Sequence, residues 1–123
     1  MYYSSIDETG NLLRISYAAR VDAGEMRRCA QECEKAVQKL RPGFRVLTDL
    51  SQLERMDLAC VPDIKRMMDV CNKAGAELVV RVIPDPHKDI GLNIMSLFHY
   101  RKRVQIVTCQ SLEEAHKLLG LAE

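Results

Sequence analysis

Short aliphatic runs alternate with helix-spaced apolar stripes along most of this chain. Residues 2–6 (YYSSI) are weakly patterned and 11–17 (NLLRISY) alternate in part. Between them lies Asp7-Glu8-Thr9-Gly10, which predicts a hairpin with Gly10 supplying a positive φ. Asp22 then offers a helix cap, with Glu25 at the third helical position. Behind it Met26, Cys29, Ala30, Cys33, Val37 and Leu40 recur at intervals of three and four, the buried stripe of an amphipathic helix. Arg41-Pro42-Gly43 ends that helix and turns the chain.

The stretch 44-FRVLTDLSQLERMDLACVPDIKRMMDVCNKAGAELVVRVI-83 reads as strand, acidic loop, helix, glycine turn and strand. Its first strand is expected to end near Asp49. The following helix lies between Leu58 and Lys73, with Val61, Ile64, Met67, Met68 and Cys71 on its buried face. Asp57 is a candidate cap, but Pro62 would then oppose the carbonyl of Leu58. A loose turn over 58–61, with the regular helix starting at Pro62, avoids the clash. Pro84-Asp85-Pro86 breaks the next strand, and Ile90, Ile94, Leu97 and Phe98 predict a third helix over roughly 87–99. There Gly91 costs up to about 1 kcal/mol if interior. VQIVTC is a fifth strand, and Ser111 with Glu114 forms a second capping box before Ala115, Leu118 and Leu119. The order β-β-α-β-α-β-α-β-α implies an α/β fold: a mixed sheet with a parallel centre, an antiparallel hairpin at one edge and four main helices.

At 123 residues the chain is expected to form one domain, residues 1–123. Aromatic residues make up only 5%, so its core is mostly aliphatic. Eighteen basic residues nearly cancel seventeen acidic ones, which disfavours a nucleic-acid partner. No apolar run reaches the length of a spanning helix, and MYYSSIDETG shows no secretory signal. Five cysteines, an odd number without framework spacing, read as reduced thiols in a cytoplasmic protein.

Leu50-Ser51, Met56-Asp57, Gly75-Ala76-Glu77-Leu78-Val79-Val80, Gly91-Leu92 and Glu113-Glu114-Ala115 fall in an order and spacing that resembles the STAS domain, the sulphate transporter and anti-sigma factor antagonist family. The resemblance covers most of the chain and implies a STAS-like (SpoIIAA-like) fold and a non-catalytic, regulatory interaction module. A related short family, similar to a cross between STAS and a lipid-binding fold, shares the pattern. In regulatory STAS members a Ser or Thr following the aspartate at helix two is phosphorylated by a partner kinase. Here Asp57 matches the aspartate, but Leu58, Ala59 and Cys60 follow it, so no oxygen acceptor exists at those places. The resemblance therefore implies the fold without the usual phosphoswitch.

Parallel sheets present function at the carboxyl ends of their strands. The candidate partner-binding surface is thus Asp49, Ser51, Arg55, Met56, Asp57 and Leu58, with Gln52 and Glu54 adding polarity. Asp57 equally suits a helix start, and Asp49 a turn. Ser51 is the remaining hydroxyl that a kinase would find there. Cys29 and Cys33 share one helical face, but no Cys/His cluster completes a zinc site, and both read as small core hydrophobes. Cys60 lies where helix amides would stabilise a thiolate, with no neighbouring histidine to pair with it. No phosphate loop, dinucleotide fingerprint, nucleophile elbow or zincin helix is present, so no cofactor or catalytic residue is expected.

Three readings follow. The first is a protein-binding module, with a homodimer as one arrangement. The second is a small module holding an apolar or lipid-like ligand under helix three, lined by His87, Ile90, Ile94 and Phe98. The third is a small enzyme using Asp49, Asp57 and a histidine. A continuous apolar cavity under helix three favours the second, and a polar surface around 50–60 the first.

Overall fold

The computed structural model describes residues 1–89, 91–101 and 103–121, without the side chains of residues 88, 93, 97 and 98. The elements follow the expected order: β1 (Tyr2–Asp7), β2 (Leu12–Val21), α1 (Ala23–Ala36), β3 (Arg45–Met56), α2 (Val61–Ala74), β4 (Leu78–Val82), α3 (Leu92–His99), β5 (Gln105–Cys109) and α4 (Leu112–Leu119). The sheet runs β1-β2-β3-β4-β5. Its β1–β2 edge is antiparallel and the remaining pairs are parallel.

Strand order explains the layers. Each crossover from β2 to β5 moves one place in the same direction. Right-handed crossovers then put α1, α2 and α3 on one face. The helix after β5 bridges no strands and folds back over the other face. Two cores result. The larger holds Leu13, Ile15, Val46, Val79 and the apolar stripes of α1 and α2. The smaller gathers Leu12, Leu47, Val80, Val82 and Cys109 under Ala115 and Leu119 of α4.

Local chemistry accounts for the helix ends. Asp22 accepts the Glu25 N–H at 2.8 Å, and the Glu25 carboxylate accepts the Asp22 N–H at 3.5 Å, completing the expected box. Ser111 accepts the Glu114 N–H at 3.1 Å, but Glu114 reaches the N–H of Gln110. A 3-10 turn at Leu58–Cys60 precedes α2, and Pro62 lies in the first turn of that helix, where it opposes no carbonyl.

Four expectations are corrected. β3 does not end near Asp49 but continues to Met56, because β2 extends to Val21 and pairs with it throughout. Extra residues in β3 break the two-residue alternation: from Asp49 to Gln52 it advances three places while β2 advances two, from Ser16 to Ala18. Those bulges made SQLERM read as a loop, while Leu50 and Leu53 remain buried. In the hairpin, Asn11 carries the positive φ (53°), not Gly10. A Cβ on Gly10 would meet Asp7 Oδ2 at 2.5 Å, so the Asp7 carboxylate that accepts the Gly10 N–H would have to shift. The helix over 87–99 begins only at Leu92: Pro86–Lys88 forms a separate 3-10 turn, and Gly91 precedes α3 at φ 83°. Finally, α1 ends at Ala36, and a 3-10 turn over Val37–Lys39 carries the chain onward.

Gly75 ends α2 at φ 97°, and a Cβ there would lie 3.1 Å from Pro42 Cβ and 3.2 Å from its Cα. Gly75→Ala is expected to cost about 1–3 kcal/mol. Gly120→Ala, at φ 67° with open space around it, should cost less. Urea unfolding of the two variants provides the comparison.

Candidate functional site

The end of β3 and the turn into α2 bring together a compact polar cluster around Asp57. Its N–H donates to Val21 O at 3.2 Å, tying the turn to the end of β2. Its carboxylate does not cap α2. It faces Arg20 Nη2 at 3.2 Å and Arg55 Nε at 3.7 Å. Arg20 and Arg55 are register partners across β2 and β3, so two like charges stand opposite each other. Asp57 offsets that repulsion. Both arginine side chains are largely exposed, so these ion pairs contribute little to stability.

Leu58 follows, 81% exposed at the start of the 3-10 turn. Met56 turns the other way and lines the space between sheet and helices. Cys60 is buried, with its Sγ donating to Val21 O at 3.5 Å. Burial, with the Asp57 carboxylate nearby, pushes its pKa up, so the helix start does not produce a thiolate.

Asp49 does not join this cluster. It lies back along β3, on the order of 20 Å of extended chain from Asp57. Its Oδ1 accepts the Ser51 N–H at 2.9 Å across the bulge. There it lines a shallow groove with Arg14, Ser16, Leu112 and His116, on the α4 side of the sheet. Asp49 and Asp57 therefore form no acid/base pair, and the histidine that shares the groove of Asp49 is His116, which sequence reasoning did not single out. Arg20 was missed for a simple reason: β2 was expected to stop at residue 17, leaving it in a connector.

A second feature is a cavity of about 50 Å³ between the sheet and α1, α2 and α3. Ile15, Val46, Leu50, Val79, Ile64 and Leu92 supply aliphatic walls, and Met26, Met56, Met67 and Met68 line it too. Its polar wall is Arg81, which is buried and donates to Ser96 Oγ on α3. Ser96 Oγ in turn donates to Leu92 O at 2.7 Å. Burial pulls the Arg81 pKa down, while Tyr100 and Asp89 favour its charged form. A lone arginine on the inward-facing positions 79, 81 and 83 of AELVVRVI was the legible signal for this wall.

Of the residues expected to line a pocket under helix three, the two whose side chains are described, His87 and Ile94, are exposed. His87 is exposed, its N–H donating to Asp85 Oδ1 at 3.0 Å. Ile94 is 65% exposed. Ile90 and the side chain of Phe98 lie outside the described residues. Leu92 and Tyr100 contribute to the cavity from this region instead. His99 Nδ1 sits 3.2 Å from Asp69 Oδ1, linking α3 to α2.

Cys29 and Cys33 lie in the larger core as free thiols. The Tyr17 hydroxyl is buried among sulfurs, 3.7 Å from Met26 Sδ and 3.8 Å from both Cys29 Sγ and Met67 Sδ. Among the described residues no group of three or more His, Cys, Asp or Glu is placed to hold a metal ion. Cys33→Ser should cost on the order of 1–3 kcal/mol, because the hydroxyl would enter a fully buried site. Chemical denaturation gives the cost, and elemental analysis finding one tightly held zinc per chain would contradict the assignment to the core.

No family model matches the chain, and no curated protein matches it in sequence. Solved structures do match its fold. An uncharacterised protein of the DUF3478 family with a SpoIIAA-like fold, from Shewanella loihica PV-4, aligns at a TM-score of 0.72 and 12% identity, over 96% of this chain and 93% of that one. The Bacillus cell fate determinant SpoIIAA in its phosphorylated form aligns at 0.66 and 15% identity, over 97% and 99%. An anti-sigma factor antagonist from Mycobacterium paratuberculosis aligns at 0.62 and 13% identity, over 98% and 95%. The chain thus has the STAS-like, SpoIIAA-like fold. Among the described residues no helix is long and apolar enough to cross a membrane.

Proposed function

We propose that this chain is a non-enzymatic protein-docking module, a single STAS-like domain of the cytoplasm, whose working surface is Arg20, Arg55, Asp57 and Leu58. The observation that carries the reading is Leu58, 81% exposed beside an ion-paired cluster at the start of α2. Burying such a side chain against a partner contributes about 1.5–3 kcal/mol. The two arginines suit a partner whose rim is acidic and whose centre offers an apolar pocket. The fold is that of anti-sigma factor antagonists, one of which was solved in a phosphorylated form. Leu58, Ala59 and Cys60 supply no oxygen acceptor, so docking here does not depend on phosphorylation at those positions. Ser51 stays partly exposed at the bulge and is the hydroxyl left for an altered switch.

The test compares the wild type with Leu58→Asp, Arg55→Ala and Asp57→Ala in binding to partners captured from the native cell. Thermal stability should change little in all three, since the side chains are exposed or weakly paired. Partner affinity should fall at least about tenfold for Leu58→Asp, with smaller losses for the other two. Intact binding in all three variants would show that the surface is wrong. Stoichiometric phosphate on Ser51 that alters affinity would restore a switch in a different place.

A further inference from the structure

The sheet ends at β1, whose outer edge pairs with no other strand among the described residues. The Ala18 N–H donates to Met1 O at 2.9 Å, which fixes the phase of the β1–β2 ladder. Tyr3, Ser5 and Asp7 therefore turn their backbone groups toward β2, and the N–H and C=O of Tyr2, Ser4 and Ile6 point outward. Side chains alternate as well. Tyr2 and Ser4 donate to Glu32 on the α1 face, while Tyr3, Ser5 and Asp7 are exposed on the other. The strand, YYSSID, has no Lys, Pro or bulge to guard its edge, and its one charge is Asp7 at the end. On the exposed side Tyr3 is 71% accessible, and among the described residues it makes no side-chain hydrogen bond or ring contact. Arg14, the register partner of Ser5, makes no ion pair among the described residues. It lines an open groove of about 370 Å³ with Ser5, Ile6, Asp7, Leu12 and Leu121.

We propose that β1 pairs antiparallel with β1 of a second copy of this chain, joining the two sheets across a two-fold axis at Ser4. In that register Ser4 faces the partner's Ser4 and Tyr2 faces the partner's Ile6. Every outward N–H and C=O of these residues then finds a partner. Tyr3 faces the partner's Ser5 in a non-hydrogen-bonded pair, where side chains approach most closely. The small serine lets the ring lie across it into the partner's groove, among Leu12, Arg14 and Leu121, where the guanidinium can stack on it. Each copy supplies the ring that fills the other's groove, which is what selects a second copy over an unrelated strand. Charge selects the antiparallel sense. It keeps the Asp7 carboxylates at opposite ends, whereas an in-register parallel pair sets them side by side. The two docking surfaces at the ends of β2 and β3 then lie at opposite ends of the joined sheet, so the dimer presents that surface twice.

One strand edge and one ring per copy make a small interface, so the dissociation constant should be on the order of 10–100 μM. Sedimentation of the full chain at concentrations up to about 1 mM measures it. Ser4→Pro removes an outward N–H on the axis and no bond to β2. It should weaken association at least about tenfold while the urea midpoint stays close to that of the wild type. Tyr3→Ala should weaken it by about the same factor. If Ser4→Pro fails to fold, Tyr3→Ala serves with the same readout, since its side chain is exposed. Association should tighten as salt rises, because the Glu32 carboxylates that hold Ser4 approach each other near the axis. In a mixture of ¹³C-labelled and unlabelled chains, isotope-filtered NOEs should join the Tyr3 ring of one copy to Ser5 and Arg14 of the other. The proposal is overturned if the chain stays monomeric at about 1 mM, even where a strand of another protein adds to the edge. It is equally overturned if the dimer survives both variants, if salt disperses it, or if the NOEs join other residues instead.

Discussion

Above pH 9 the domain is expected to lose stability steeply, and Cys71 should account for much of the slope. Its thiol is 2% exposed in the larger core, and burial pushes its pKa from 9.0 up to about 12. The unfolded chain releases that proton near pH 9, whereas the folded chain keeps it until about pH 12. Over this window the unfolded state binds fewer protons, so stability falls as pH rises, by roughly 1.4 kcal/mol per pH unit for this group. Burial acts in the same direction on Tyr17 and Tyr100. Tyr2 is raised to about 12 by burial and its hydrogen bond to Glu32, but it lies near the surface and adds less. Urea midpoints at pH 7, 9, 10 and 11 should trace the decline. Cys71→Ala should flatten it by about one proton's worth. A stability that stays level from pH 9 to 11 would contradict the burial of these thiols and phenols.

Phe44→Ala should be the most damaging single replacement in the sheet, at about 3–5 kcal/mol. Phe44 is fully buried in the larger core, one residue ahead of β3. Its carbonyl accepts the Glu77 N–H at 3.0 Å, so the same residue joins the entry of β3 to the entry of β4. Truncation leaves a ring-sized void at that joint, where Gly43 N–H also donates to Gly75 O at 2.7 Å and the chain has little freedom to collapse. Phe44→Leu should recover most of the loss, because it restores most of the volume. Guanidinium unfolding of both variants measures the difference. Equal stability of Phe44→Ala and wild type would mean that the corner is not packed as described.

The two effects belong to one architecture. A sheet with three helices on one face must bury a wide apolar surface, and in this chain sulfur supplies much of it. Met26, Cys29, Cys33, Met67, Met68 and Cys71 all face the same core. Such side chains fill irregular space without fixing it rigidly, which is why a cavity and a sulfur-lined tyrosine coexist there. The opposite face is held by the short α4 over a smaller patch, and the groove around Asp49 lies beside it.

Local patterns along the chain set the kind and order of the elements. Short aliphatic runs around Val46, Val79 and Val107, helical stripes behind Asp22 and Pro62, and the stops at Gly75 and Gly120 are local signals. They depend on backbone and side-chain preferences a few residues apart. The same locality made it legible that Leu58, Ala59 and Cys60 carry no hydroxyl. Which residues meet follows from the packing of distant segments. Arg20 reaches Asp57 because β2 and β3 pair to their ends through bulges, and bulges erase the alternation that would announce a strand. Asp49 and Asp57, neighbours in sequence, are separated because extended chain carries them apart. Arg81 meets Ser96 because a right-handed crossover lays α3 over β4. Pairing register, bulge position and layer are properties of contacts between distant segments, and no local pattern encodes them.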